Sequence, residues 1–485
     1  MDREALMKLE KNEIVELLLV AFQRIAELEV NAKIQAEEIA SQKERLNKNS
    51  QNSSKPPSSD GYKKPQPKSL RERTGKKPGA QHGHEGNGFS LPHEADETVL
   101  HHPTVCERCA HDLTQEQGEA VTCATRYVVD IRIETQVIAH QTTEVICPEC
   151  GQIAIGSFPN GINSTLQYGD TIKALAIALN TAGTISINRT HEILQSVFGV
   201  PISTGTISGM IEDCAEKVKP ALEKIKSEII NSPVVNCDET GIRADKKLHW
   251  AHSASTNVST YIIVDPKRGQ LGMDNAGILP EFLGIAVHDC WSPYFLYDCE
   301  HALCNAHLLR ELTNVEENYS QSWATNMIQL LLDMKEAKEQ CIEMGIPSIS
   351  EEQWQEFMNQ YDELLKIGKE MNPIPPAEAN KRGKPKKGKI LSLLERLETY
   401  KAGVCLFAKN FFVPFTNNQA EQDIRVFKVK EKVTGGFRTT DGANDYASIV
   451  SYISTARKRG FSIFDSIKHA LAGNAISILM PATTE

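Results

Sequence analysis

The chain has 485 residues and carries 53 Lys and Arg against 63 Asp and Glu, a formal net charge of −10. At roughly 100–200 residues per domain that length predicts about three domains. A composition of 40% hydrophobic and 24% charged residues excludes a wholly disordered or fibrous chain, and −10 spread evenly would argue against a nucleic-acid binder.

The start, Met1 to Glu4, lacks the basic-then-apolar pattern of a secretion signal, and the longest apolar run, Ile14 to Phe22, is broken by Glu16 and too short for a membrane span. The expectation is a cytoplasmic protein with no membrane partner. In a reducing compartment, close Cys pairs among the 12 cysteines point to metal or catalysis rather than disulfides.

Residues 1–47 contain no Gly or Pro. They place Leu18, Ile25, Ala32, Ile39 and Leu46 at seven-residue intervals, with Ile14, Ala21, Leu28, Gln35 and Gln42 at the complementary positions. This a/d seam predicts a coiled-coil, zipper-like helix and a homo-oligomer; a single helix packed on the body would show the same amphipathicity. Residues 48–90 are rich in Pro, Gly, Ser and Lys and cannot bury enough apolar surface to fold alone. Between Lys55 and Gly86 they carry eight Lys and Arg against three acids, as suits either a solvated linker or an arm that tracks phosphates. A second basic run, Lys381 to Lys389, holds six cations and no anion. A modestly acidic total therefore does not exclude DNA.

Residues 91–160 hold two Cys-x-x-Cys knuckles, Cys106 with Cys109 and Cys147 with Cys150, separated by 37 residues. Four thiolates are what tetrahedral Zn²⁺ prefers, so a structural zinc-binding β domain is expected; unpaired buried thiols are the alternative. Alternation along Tyr127 to Ile146 (Val129, Ile131, Ile133, Val137) predicts a hairpin that joins the knuckles. Cys123 reads as core. Residues 161–230 read as helical, with a helix-turn-helix-like, DNA-binding pattern: a helix over about Asn188 to Val197, a turn at Phe198-Gly199-Val200-Pro201, and a second helix capped by Ser203-Thr204.

The chemistry-bearing pattern follows over residues 231–440. Pro233 to Gly241 reads as a strand ending in Asp238-Glu239, and Leu248 to Ala254 and Ser259 to Val264 complete an antiparallel meander. A helix near Ala276 to Leu283 precedes a fourth strand, Gly284 to Asp289. Thr416 to Lys428 reads as a helix capped by Asn417 or Asn418. Asp238, Asp289 and Glu421 would then converge at one sheet edge. Three anions need cations, and two Mg²⁺ (or Mn²⁺) would neutralise them, one activating the attacking oxygen and one stabilising the leaving oxygen. Arg425 and Lys428, four and seven residues beyond Glu421, share its helix face and are placed to hold phosphates.

These residues resemble the bacterial transposases of the insertion-sequence 66 family, members of the DDE group with an α/β ribonuclease-H-like core. The resemblance covers nearly the whole chain and rests on Asn52 to Asp60, Lys77 to His84, the paired knuckles, Cys237-Asp-Glu-Thr-Gly241, His288-Asp289, Cys304-Asn-Ala-His307, Asn417 to Glu421 with Arg425, Gly436-Phe-Arg438 and Ala456 to Gly460. It implies that Asp238, Asp289 and Glu421 are the catalytic acids and Mg²⁺ ligands, and it adds Arg438 to the DNA contacts. It also implies a helical insertion at about 310–405, within the 131 residues between the second and third acids, and a C-terminal helical region over 441–485. The implied partners are terminal inverted repeats, target DNA and accessory proteins of the same element, and the implied location is the nucleoid. The implied reaction is Mg-dependent strand cleavage followed by strand transfer; an inactive transposase-derived DNA-binding regulator, or a plain nuclease, would share part of this pattern. Cys304 and His307 read as braces of the site rather than a second zinc centre. Two positions depart from the family, which usually has an aromatic where this chain has Ile242 and a more basic pattern where it has Leu308-Leu309.

Overall fold

The computed structural model describes residues 10–49, 51–53, 93–114, 124–131, 133–159, 161–374 and 388–480. The basic arm from Lys55 to Gly86, the run from Lys381 to Lys387 and Cys123 lie outside the described residues. The chain divides into two compact units, Lys68–His140 and the remainder, Met1–Pro67 with Gln141–Glu485. Among the described residues no helix is long and apolar enough to cross a membrane.

In the smaller unit the described residues form turns and an isolated bridge between Val105 and Asp112, with no strand. Among the described residues of Tyr127 to Ile146, where a hairpin is expected, the one strand is at 144–146. Val129, Ile131, Ile133 and Val137 are exposed; in the larger unit Glu144–Ile146 (β1) pairs antiparallel with Ile153–Ile155 (β2), a ladder that brackets the second knuckle. Apolar alternation becomes sheet only where a second layer covers one face, and a three-residue ladder exposed throughout has none.

In the larger unit Lys11–Asn47 (α1) is one helix. The Glu13 carboxylate accepts the Glu10 N–H at 2.9 Å to close a capping box at its start. Leu18, Ile25, Leu28, Ile39 and Leu46 of its seam are exposed, and its last turn is anchored in the body.

Asp170–Asn180 (α2), Ile187–Phe198 (α3) and Thr204–Ile230 (α4) follow. Ser186 caps α3, Gly199 ends it at φ 66°, and the Ser203 hydroxyl accepts the Thr206 N–H at the start of α4. Helix α4 buries Ile207, Met210, Ile211, Cys214, Val218, Ala221, Ile225 and Ile229, a helical stripe that packs on one face of the central sheet.

That sheet has strand order β5-β4-β3-β6-β7, with β3 Val234–Ala244, β4 Lys247–Ser255, β5 Thr260–Asp265, β6 Ile285–His288 and β7 Glu300–Leu303. Strands β3, β4 and β5 form the antiparallel meander, while β6 pairs parallel to β3 and β7 parallel to β6. Strand β7, four residues long, gave no separable pattern in the sequence. The short helix expected at Ala276 to Leu283 lies earlier, at Gln270–Ala276 (α5), because glycines at φ 82° (Gly269) and φ 65° (Gly277) bound it.

Among the described residues five helices are inserted after β7: Asn305–Tyr319 (α6), Ser322–Glu343 (α7), Glu351–Met371 (α8), Lys389–Thr399 (α9) and Lys401–Lys409 (α10). They enclose their own core around Trp323, Tyr361 and Leu394. The last turn of α1 docks here: Asn47 donates to Asn318 at 3.1 Å and the Tyr319 hydroxyl to Glu44 at 2.9 Å. The departures from the family are core residues: Ile242 is buried with Ile424 and Phe427, and Leu308 and Leu309 are buried in the insertion.

Asn418–Thr434 (α11), Thr440–Lys458 (α12) and Ile463–Leu471 (α13) end the fold. Helix α12 is part of the sheet assembly. The outer edge of β5 would leave its N–H groups unpaired, and α12 satisfies them with Thr455 Oγ1 on Thr260 N–H (3.0 Å), Ser451 Oγ on Ile262 N–H (2.8 Å) and Asn444 Oδ1 on Val264 N–H (3.3 Å). Residues 444, 451 and 455 share one helix face, so the edge is closed by a polar ladder.

Candidate active site

The parallel pairing of β3 with β6 sets two of the acidic residues level. Val234, Val235 and Asn236 face Ile285, Ala286 and Val287, and Asp238 and Asp289 each lie two residues beyond the last pair. Alternation assigns Cys237 to the α4 side, where it joins that core, and Asp238 to the opposite side with Ile242 and Ala244. Helix α11 packs on that opposite side through Ile424 and Phe427, which brings Glu421, in its first turn, over the same strand ends.

The approach to α11 is tied at several points. Lys338 donates to the Val413 carbonyl (2.7 Å), Asn305 N–H to the Phe415 carbonyl (3.1 Å), Asn417 N–H to Cys304 Sγ (3.1 Å), and Asn417 Nδ2 to the Cys237 carbonyl (2.6 Å). Asn417 is the cap residue, yet its side chain is used across the fold and makes no cap hydrogen bond.

Burial, and then the charges of Glu239, Glu421 and Asp289, push the Asp238 carboxyl well above the usual carboxylate range. Both predicted partner acids therefore act on Asp238 electrostatically. The neighbouring Glu239 is different. Burial raises it, but the Tyr294 hydroxyl donates at 2.7 Å and Arg268 at 2.8 Å. The Arg268 guanidinium is stacked between Trp250 and Trp291, 4.5 and 3.9 Å from the ring centroids. Behind Asp289, His288 is fully buried and stacked on Tyr294, its Nδ1 on the Asp289 carbonyl and its Nε2 3.0 Å from His301 Nδ1. Burial drives its pKa down to about 3, so the ring is neutral and braces the strand end. Sequence reasoning missed Arg268 and Tyr294; no local pattern marks a residue whose role is to hold Glu239.

Arg425 and Arg438 are exposed, and neither has a hydrogen bond or ion pair among the described residues. Lys428 is exposed but already donates to the Gly241 carbonyl and lies 3.2 Å from Glu431, so it fastens α11 to β3. Lys458 is also committed, at 2.6 Å to Asp423 on α11.

At the insertion's first turn, Cys304 Sγ lies 3.9 Å and His307 Nδ1 3.8 Å from Glu421 Oε1. Burial pushes the Cys304 thiol up to about 11.

The knuckles are separate tight turns. The Ala110 N–H donates to the Cys106 carbonyl and the Gly151 N–H to the Cys147 carbonyl, each at 2.8 Å. Backbone N–H groups of Cys109 and Arg108 hold the Cys106 thiol below its ordinary pKa, and those of Cys150 and Glu149 do the same for Cys147. Thiols poised toward thiolate suit metal ligation.

Acids from β3, the end of β6 and the first turn of α11 thus act on one another, and the class of protein, shown by the family match, is a DNA-processing enzyme. The chain belongs to the IS66 transposase family, whose model matches residues 165–445, more than half of its length. A second model, of a family of unknown function, matches residues 10–89. No curated protein matches the chain.

Proposed function

We propose that this transposase acts on the terminal inverted repeats of its element, cleaving at their 3′ ends and joining the freed 3′-OH to target DNA, through a ribonuclease-H-like core with Asp238, Asp289 and Glu421 as the DDE triad. The observation that carries the reading is the placement of Asp238 and Asp289 at one level by the β3–β6 register, with Glu421 near enough that its charge and that of Asp289 both act on Asp238. Hard carboxylate oxygens with uncompensated charge fit Mg²⁺ or Mn²⁺, and bound divalent ions would supply charge neutralisation and polarise the reacting phosphate.

The chain's own residues set the rest. Asp238 and Asp289 are held at one level by strand pairing and Glu421 by the ties before α11. Arg268 and Tyr294 keep Glu239 out of the acidic set. Arg425 and Arg438 bind phosphates, and the basic segments Lys55 to Gly86 and Lys381 to Lys389 add non-specific affinity, so DNA binding falls steeply with salt. A nicking and joining assay on the inverted-repeat ends tests the assignment. Expected is Mg²⁺-dependent nicking and joined product; generic cutting that never joins ends would make the protein a nuclease instead.

The exposed seam of α1 supports self-association. A chain lacking residues 1–47 is expected to sediment as a smaller species than the full chain, and an unchanged sedimentation coefficient per subunit mass would refute the zipper. The poised thiols of Cys106 and Cys147 support a structural Zn²⁺ shared with Cys109 and Cys150. Substituting Cys106→Ser and Cys147→Ser together should lower zinc content by about one equivalent per chain; unchanged content would dismiss the knuckles as ligands.

A further inference from the structure

We propose that Cys304, His307 and Glu421 form a second cation site, selective for a thiophilic divalent ion of the Zn²⁺ class, and that filling it takes Glu421 away from the catalytic set and switches strand cleavage off. The switch rests on the reading of Glu421 as a catalytic acid; the site itself does not.

The geometry is that of a ligand set slightly open. One donor atom from each residue lies within 4.8 Å of the other two, and this is the one such group of three His, Cys, Asp or Glu residues among the described residues. A tetrahedron with Zn–S of about 2.3 Å and Zn–N or Zn–O of about 2.0 Å has edges of roughly 3.3–3.6 Å. The separations of 3.9 Å (Sγ to Oε1) and 3.8 Å (Nδ1 to Oε1) therefore close by a few tenths of an ångström on ligation.

Two further observations point to a ligand. His307 Nδ1 is buried and makes no hydrogen bond, leaving a ring nitrogen aimed at Glu421 with nothing to satisfy it. Cys304 and His307 lie at the cap and third position of α6, so both side chains project from its first turn, and the Asn417 N–H donates to the sulfur at 3.1 Å. An N–H on the sulfur is the outer support that a metal thiolate takes. Ligation would break the S–H bond, form a metal–sulfur bond, and release the proton to solvent.

Softness sorts the cations. Mg²⁺ takes oxygen ligands and reluctantly gives up water, so it belongs with Asp238 and Asp289, whereas thiolate and imidazole favour Zn²⁺. Glu421 faces both sets, and an ion held on its Oε1 beside Cys304 and His307 would draw the carboxylate and its charge away from the Mg²⁺ side. The same cluster thus makes the enzyme sensitive to free zinc at constant magnesium.

The test uses the chelator-stripped full-length protein titrated with Co²⁺ and then Zn²⁺. Expected is that Cys304→Ser and His307→Asn each bind about one equivalent fewer than wild type, with part of the cobalt–thiolate absorption lost, and that Glu421→Gln weakens this equivalent at least roughly tenfold. Zinc should suppress wild-type cleavage at fixed Mg²⁺ and leave whatever cleavage Cys304→Ser retains insensitive. Equal stoichiometry in wild type and both variants, with native circular dichroism, overturns the site even if Mg²⁺-dependent cleavage is intact, and that result leaves the catalytic reading standing. If the equivalent is lost as expected but cleavage responds to zinc equally in wild type and Cys304→Ser, the switch is overturned while the site stands. A filled site in a wild-type protein that never cleaves in Mg²⁺ sinks the catalytic reading and the switch together.

Discussion

Replacing Asp238 by Asn is expected to lower Mg²⁺-dependent end cleavage at least about a thousandfold, some 4 kcal/mol of transition-state stabilisation, while raising the thermal midpoint of the cation-free protein. Both effects have one cause. Folding carries the Asp238 carboxyl into a buried site next to Glu239, Glu421 and Asp289, which holds its pKa well above the ordinary 3.8. The folded chain therefore keeps the proton in a pH range where the unfolded chain has lost it, so the stability linked to this group is present at low pH and disappears as pH rises from about 4 through the elevated pKa. Above that range the folded state carries a buried, uncompensated charge. Asn has none. Melting curves in chelator across this range should show the wild-type midpoint falling and the variant's staying level. Mg²⁺ should restore the wild type and leave the variant unmoved. A variant that melts below wild type in chelator at alkaline pH would mean that the acidic cluster is not under electrostatic strain, and cleavage at the wild-type rate would remove Asp238 from the mechanism.

Trp323→Ala should be the most damaging single change to the insertion, at about 3–5 kcal/mol. The indole is fully buried, its Nε1 donates to Gln321 Oε1 at 2.5 Å, and a Cβ built on Gly368 would stand 3.0 Å from its ring, so α8 already packs against it without slack. Little can collapse into the space left behind. The same core holds Leu308, Leu309 and Leu312 of α6, the helix that carries His307. Urea unfolding should register the loss as a lower midpoint, with cleavage reduced in step with the loosening of α6. A midpoint within error of wild type would show that the insertion core is not the rigid support described.

The departures from the family show how far local reading reaches. In place of an aromatic and of basic residues, Ile242 and the pair Leu308-Leu309 suggest altered DNA contacts when read along the chain. In the fold they are buried, Ile242 against α11 and the leucines in the insertion, so they bear on packing. Helical spacing puts Lys428 on one face with Glu421 and Arg425, but its ammonium is engaged by Gly241 and Glu431. Spacing gives the face; only neighbouring backbone decides whether the charge is free.

By itself the sequence determined the elements whose signal is a repeated local choice: the long N-terminal helix without Gly or Pro, the hydroxyl caps and glycine turn around α3 and α4, the three-strand meander, and the strand that precedes Asp289. In each case a window of ten or so residues holds the whole physical cause, whether side-chain period, capping or φ preference. Tertiary structure alone decided what converges. The level placement of Asp238 and Asp289 comes from parallel register between strands with a meander and a helix between them, and Glu421 reaches them only through the ties from Asn305, Lys338 and Asn417. The stacking of Arg268 between two tryptophans, the polar ladder from α12 on the edge of β5, and the meeting of Cys304, His307 and Glu421 follow the same rule. They are set by burial and pairing between segments distant in the chain, and no short stretch of sequence contains both partners.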